Sequence, residues 1–90
     1  MNNNSDEQIK INFQNLIDIV KKLRSQEGCD WDKSQTAYSL LPYFIEEVYE
    51  LIDSIDKKDH ENLKEELGDV LFHLIFQSQI ATEKGLFTIN

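Results

Sequence analysis

The sequence has one cysteine, one proline, three glycines, one tryptophan and nine basic residues in ninety. Each shortage excludes something. A lone Cys29 rules out an intrachain disulfide and fits a reduced, cytoplasmic setting. With Gly and Pro scarce and Leu, Ile, Glu and Lys abundant, the class leans to helix. Nine Lys and Arg against seventeen Asp and Glu leave a net charge of −8. That balance provides no basic face for a nucleic-acid backbone or an anionic membrane surface. Long hydrophobic runs are missing too. The most apolar stretch, Val70 to Ala81, is interrupted by His73, Gln77 and Gln79 and is too short to span a bilayer. The start, Met1 to Ser5, is polar and carries no apolar core of a secretory signal.

What is present is a hydrophobic fraction of 40%, normal for a globular chain and a counter to wholesale disorder. Ninety residues make one domain at most, spanning 1–90. A chain this size buries only about two-thirds of its unfolded surface, so its core is thin and dimerisation would help it.

Periodicity predicts three helices. Residues 1–6 read as a flexible tail or a helix lead-in. From about Glu7 to Arg24, Ile9, Phe13, Leu16, Ile17, Val20 and Leu23 recur at helical spacing. Ser25 to Thr36 has turn formers and no period, so a loop is expected. Pro42 suits the first turn of a second helix running to about Lys57. Asp59 is a plausible N-cap for a third, which continues to Lys84 with Gly85 as its C-cap. The fold class is all-α: a small helical bundle with two long antiparallel helices, completed by dimerisation.

The acids have a pattern on these helices. At about 100° per residue, Leu41, Phe44, Ile45, Val48, Leu51, Ile52 and Ile55 form one apolar stripe. Tyr43, Glu47, Glu50 and Ser54 share a seam to one side of it. On the third helix Leu63, Leu67, Val70, Leu71, Leu74 and Ala81 form the stripe, and Asn62, Glu66, Asp69 and His73 share a seam at the same offset. Each acid pair is spaced i, i+3 and lies on one face. The short connection near Lys57 to Asp59 makes the helices antiparallel neighbours. Four carboxylates would therefore converge: Glu47, Glu50, Glu66 and Asp69. Such acids can be ordinary solvated charges on amphipathic helices. Alternatively they await divalent cations, and an oxygen-only set favours Mg²⁺ or Mn²⁺ over zinc. Phe72, Phe76 and Ile80 lie off the main stripe, so the third helix is apolar on several sides. A helix coated in this way belongs inside a bundle or an oligomer interface, which makes its acids harder to dismiss as surface charge.

The runs GCDWDKSQT, SLLPYFIEEVYELIDSI and EELGDVLFHLIFQSQIATEKGLF resemble the MazG nucleotide pyrophosphohydrolase domain over roughly Leu16 to Phe87. An EExxE segment (Glu46, Glu47, Glu50) is followed on the next long helix by ExxD (Glu66, Asp69). The WDKxQT loop and the LPY before the acids make the match specific. The resemblance implies an all-α homodimer or homotetramer in the cytoplasm. It also implies Mg²⁺-dependent hydrolysis of nucleoside triphosphates to the monophosphate and pyrophosphate, as in nucleotide pool clean-up. Glu47, Glu50, Glu66 and Asp69 would be the metal ligands. Glu46 is the further motif acid that would assist a metal or orient the attacking water.

Further expectations surround these. Trp31 would stack on or wall a nucleobase, or else plug the end of the bundle. Lys33 and Lys64 would contact phosphates, or else be plain solvated lysines. His73 extends the seam as a group supporting the metal ligands or as a hydrogen-bonded bundle histidine. Gly68, costly in a helix, suggests a close helix approach beside the acids. Cys29 is expected to be inert. The proline common between Cys and Trp in the family is Asp30 here. Related domains continue beyond the point matching Asn90 into a helix with basic residues, so either a partner subunit substitutes for it or the chain is a fragment truncated at the C-terminus, with activity reduced or lost. Two alternatives stay open: a non-catalytic helical nucleotide-binding or interaction module, and a relative specific for dUTP or phosphoribosyl-ATP.

Overall fold

The computed structural model describes residues 3–90. It contains helices α1 (Asn3–Leu23), α2 (Asp30–Ser34), α3 (Leu41–Asp56) and α4 (His60–Glu83), with no strand among the described residues. They fall into two compact units, one ending at Ser34 and the other running from Gln35 to Asn90.

In the N-terminal unit, α1 begins at Asn3, earlier than the expected start near Glu7. The lead-in residues Asn3 to Asp6 are therefore helical, while Met1 and Asn2 lie outside the described residues. Asp6 in the first turn and Lys21 and Lys22 in the last complement the helix dipole. Short helix α2 occupies part of the stretch expected to be a loop. Five residues are too few to show a hydrophobic period, and this helix is held from outside itself. The Arg24 guanidinium donates to the carbonyls of Asp32 at 2.8 Å and Lys33 at 3.4 Å, groups that the last turn leaves unsatisfied. The connection closes tightly because of Gly28. A Cβ there would overlap the carbonyl oxygens of Leu23 and Lys22.

In the C-terminal unit, Thr36 and Ser39 close a turn reciprocally. The Thr36 N–H donates to Ser39 Oγ at 2.8 Å and the Ser39 N–H to Thr36 Oγ1 at 3.0 Å. Helix α3 follows with Pro42 in its first turn, where a missing N–H costs nothing. It ends in a glycine-free αL cap. Lys58 takes φ +55, the Asp59 N–H reaches back to the Ser54 carbonyl and the Lys58 N–H to that of Ile55. Asp59 then caps α4 by accepting from the Asn62 N–H at 3.2 Å. At the far end Gly85 repeats the αL cap at φ +74, with the Leu86 N–H on the Ala81 carbonyl.

Helices α3 and α4 form an antiparallel hairpin with a run of polar contacts across it. Starting from the turn, Asn62 Nδ2 donates to Ser54 Oγ at 2.8 Å. One turn on, Glu50 interacts with Glu66, and the next step brings Glu47 to Asp69. A further turn on, the Phe44 ring lies 4.4 Å from the His73 ring. Leu40, Ile75, Phe76, Ile80 and Ala81 are buried toward the other end. The apolar stripes that periodicity picks out are divided: Phe44, Val48, Leu51, Leu63 and Val70 are half-buried and Ala81 is buried, while Ile45, Ile52, Ile55, Leu67, Leu71 and Leu74 are each at least 40% exposed. Helix α4 is thus coated on several sides, as expected, with Phe76 and Ile80 buried and its leucine side open. The close approach expected at Gly68 is corrected by the structure, since a Cβ built there meets nothing within 4 Å.

Candidate active site

The hairpin seam brings carboxylates together, with Glu66 buried, Glu47 half-buried and Glu50 and Asp69 exposed. Glu66 is 8% exposed, and its Oε2 is buried with no hydrogen-bond partner among the described residues. Glu47 Oε2, on the opposite helix, is in the same condition. Burial holds the Glu66 carboxyl above its ordinary value of 4.5, and Glu50, Asp69 and Glu65 add to the shift. Burial also raises Glu47, with repulsion from Asp69, Glu50 and Glu46 behind it. Each acid is therefore shifted by a neighbour across the hairpin as well as by its own helix. Among the described residues no group of three or more His, Cys, Asp or Glu is drawn together closely enough to hold a metal ion as it stands. Glu47, Glu50, Glu66 and Asp69 line one seam without closing on one point.

The lower end of the seam is fixed by Ser54, which is 1% exposed. Its Oγ donates to the Glu50 carbonyl at 3.0 Å and accepts from Asn62. One small hydroxyl thus locks the turn carrying Glu50 to the helix carrying Glu66. At the upper end His73 is buried against Phe44, and burial lowers its pKa below the ordinary 6.5. His73 Nε2 lies 3.2 Å from Gln77 Nε2, which also reaches the Ala37 carbonyl at 3.1 Å. Sequence reasoning placed Ser54, Asn62 and His73 on the seam but missed Gln77. The available signal was its i, i+4 spacing from His73.

The remaining candidates are placed as follows. Glu46 is exposed beside Glu47. Lys64 is exposed two residues from Glu66, about 160° round α4 from it, so the structure does not bring it to the acids. Trp31 and Lys33 belong to α2 in the N-terminal unit. Trp31 is half exposed. Lys33 Nζ pairs with Asp30 at 3.1 Å and donates to the Gln26 carbonyl at 3.3 Å, bracing its own loop. Cys29 is exposed.

The fold and the seam together define an all-helical domain built on an antiparallel hairpin with carboxylates along its inner face. The family model of the MazG nucleotide pyrophosphohydrolase domain matches residues 35–90, the unit that carries this hairpin. The chain belongs to that family. It is 58% identical over 78 residues to the nucleoside triphosphate pyrophosphohydrolase/pyrophosphatase MazG of Thermotoga maritima, covering 87% of this chain and 31% of that protein. With the nucleoside triphosphate pyrophosphohydrolase of Escherichia coli K12 it shares 46% identity over 76 residues, 83% of this chain and 29% of the other. An uncharacterized Bacillus subtilis protein, YabN, is 46% identical over 78 residues, 87% of this chain and 16% of its own. The chain thus spans less than a third of the length of each of these relatives. No helix among the described residues is long and apolar enough to cross a membrane.

Proposed function

We propose that this domain hydrolyses nucleoside triphosphates to the monophosphate and pyrophosphate with Mg²⁺ or Mn²⁺ bound between Glu47, Glu50, Glu66 and Asp69. The observation that carries the reading is the pair of buried carboxylate oxygens, Glu47 Oε2 and Glu66 Oε2, without partners among the described residues. Folding brings these acids together and leaves two of their oxygens out of water, an arrangement that a hard cation would relieve. An all-oxygen donor set suits Mg²⁺, which keeps waters for phosphates to displace. When bound, the metal would lower the pKa of a water and neutralise charge developing on the phosphates. The chain's own contribution is placement. Ser54 holds the Glu50 turn, Phe44 and His73 close the other end, and Glu46 would assist a metal or orient the attacking water.

Trp31 as a wall for the base and Lys33 as a phosphate contact remain part of the proposal; Lys33 would have to give up its bonds to Asp30 and Gln26. Lys64, on the far side of α4, is left out. The open apolar side formed by Ile45, Ile52, Ile55, Leu67, Leu71 and Leu74 supports a homodimer or homotetramer. A nucleotide substrate and a lone free cysteine support a cytoplasmic setting in this reading. The test is pyrophosphate release from a panel of ribo- and deoxyribonucleoside triphosphates, including dUTP, with Mg²⁺ and with EDTA. Metal-dependent release that Glu50→Ala and Asp69→Ala abolish, with helicity retained, is expected. Undiminished release in either variant sinks the ligand set. Nucleotide binding without release under excess Mg²⁺ would favour a non-catalytic module.

A further inference from the structure

At the upper end of the seam His73 belongs to a relay that reaches past the acids to the segment entering α3. Gln77 Nε2 lies within hydrogen-bond distance of the Ala37 carbonyl (3.1 Å) and of His73 Nε2 (3.2 Å). A carbonyl only accepts, so the Gln77 group facing it must be the NH₂, which fixes the orientation of the amide. The second N–H of that NH₂ then points at the imidazole, and His73 Nε2 must accept it. Only a neutral ring protonated at Nδ1 can do so. The Phe44 ring packs on this same imidazole one helical turn before Glu47. Two side chains of α4 therefore hold both the segment entering α3 and the first turns of α3 itself.

We infer that His73, as its Nδ1–H tautomer, and Gln77 are positioning residues that seat the start of α3 on α4 and so set Glu47 opposite Asp69. The link to metal binding rests on the pyrophosphohydrolase reading, whereas the latch itself does not. The chain of dependence is short. Gln77 holds Ala37, and the next turn is closed by the Leu41 N–H on the Tyr38 carbonyl at 3.1 Å. His73 orients Gln77 and supports Phe44. Loss of the amide would leave the Ala37 carbonyl without this bond and let the entry to α3 open locally.

The experiment uses the full chain labelled with ¹⁵N, as wild type, Gln77→Leu and Gln77→Glu. Imidazole spectra of the wild type should show His73 neutral with the proton on Nδ1. Gln77→Leu should raise the exchange rate of the Leu41 amide by roughly threefold to tenfold, the range expected for one lost hydrogen bond. Gln77→Glu can only accept, so it should reverse the ring's role and put a proton on Nε2, an effect that a merely space-filling Gln77 would not produce. A wild-type ring carrying its proton on Nε2, or an unchanged Leu41 rate in Gln77→Leu, overturns the inference. Mg²⁺ affinity measured by calorimetry on the same proteins separates the two readings. Weaker binding in Gln77→Leu supports the positioning role, and equal binding refutes it. A wild type that binds no Mg²⁺ refutes the metal site and with it this positioning role, while the imidazole and exchange results decide whether the latch itself exists.

Discussion

Replacing Gly68 by alanine should stabilise this domain, and the amount can be worked out. Gly68 sits inside α4 between Leu67 and Asp69, nine residues after the N-cap Asp59. It takes no positive φ, and a Cβ built there meets nothing within 4 Å. The new methyl neither packs nor clashes, so only helix propensity remains, about 0.8–1.0 kcal/mol in favour of alanine. For a domain of this size, a gain of about 1 kcal/mol raises Tm by roughly 4–8 °C. Thermal unfolding followed by far-ultraviolet circular dichroism, repeated across a tenfold range of protein concentration, measures it. A Tm that stays put or falls would refute the reasoning. A loss growing with concentration would mean that another chain occupies the space beside Gly68. Gly28→Ala is the control with the opposite sign: its Cβ would collide with the backbone carbonyls of Lys22 and Leu23, so it should destabilise the protein.

Three further outcomes are expected. Ser54→Ala removes the acceptor of Asn62 Nδ2 inside the hairpin and should lower stability by about 1–3 kcal/mol in urea unfolding, with Ser54→Thr costing extra only through its added methyl. Lys58→Gly relieves a non-glycine residue at φ +55 and should stabilise by about 1 kcal/mol in the same assay, while Gly85→Ala, at φ +74, should cost a similar amount. The pH dependence without metal has a defined sign. Glu47 and Glu66 have folded pKa values above the ordinary 4.5, so the folded state binds more protons and stability falls as pH rises from 4.5 through those values. His73, lowered from 6.5, acts oppositely, its contribution being present above 6.5 and lost as pH falls through the folded value. Glu66→Gln, in a urea series from pH 4 to 8 with EDTA, should flatten the carboxylate part of that fall. An unchanged slope would mean that Glu66 does not carry the strain assigned to it.

Much of this was legible in the sequence because it depends on local rules. The helical class, the hairpin, Pro42 in the first turn of α3, Asp59 as N-cap and Gly85 at an αL cap all follow from periodicity and backbone preferences that act within a few residues. The i, i+3 spacing of Glu47 with Glu50 and of Glu66 with Asp69 placed each pair on one helical face before any coordinates. Helix α2 was not legible, since five residues carry no period and its carbonyls are satisfied by Arg24 from outside. Gly68 was misread because a helical glycine looks the same in sequence whether a neighbour crowds it or open space surrounds it.

The direction in which each helix face points was decided by tertiary structure alone. A helical wheel gives the angle between the apolar stripe and the acid seam but not which of the two meets the other helix. The hairpin turns the seam inward, where Ser54, Asn62 and His73 supply hydrogen bonds and ring contact, and leaves Leu67, Leu71 and Leu74 open. That choice buries Glu66 and the Glu47 Oε2 atom and raises both pKa values, because desolvation depends on what lies across the gap. The sequence by itself determined the helices and the acids they carry. Packing determined how deeply each of those acids is buried where the two helices meet.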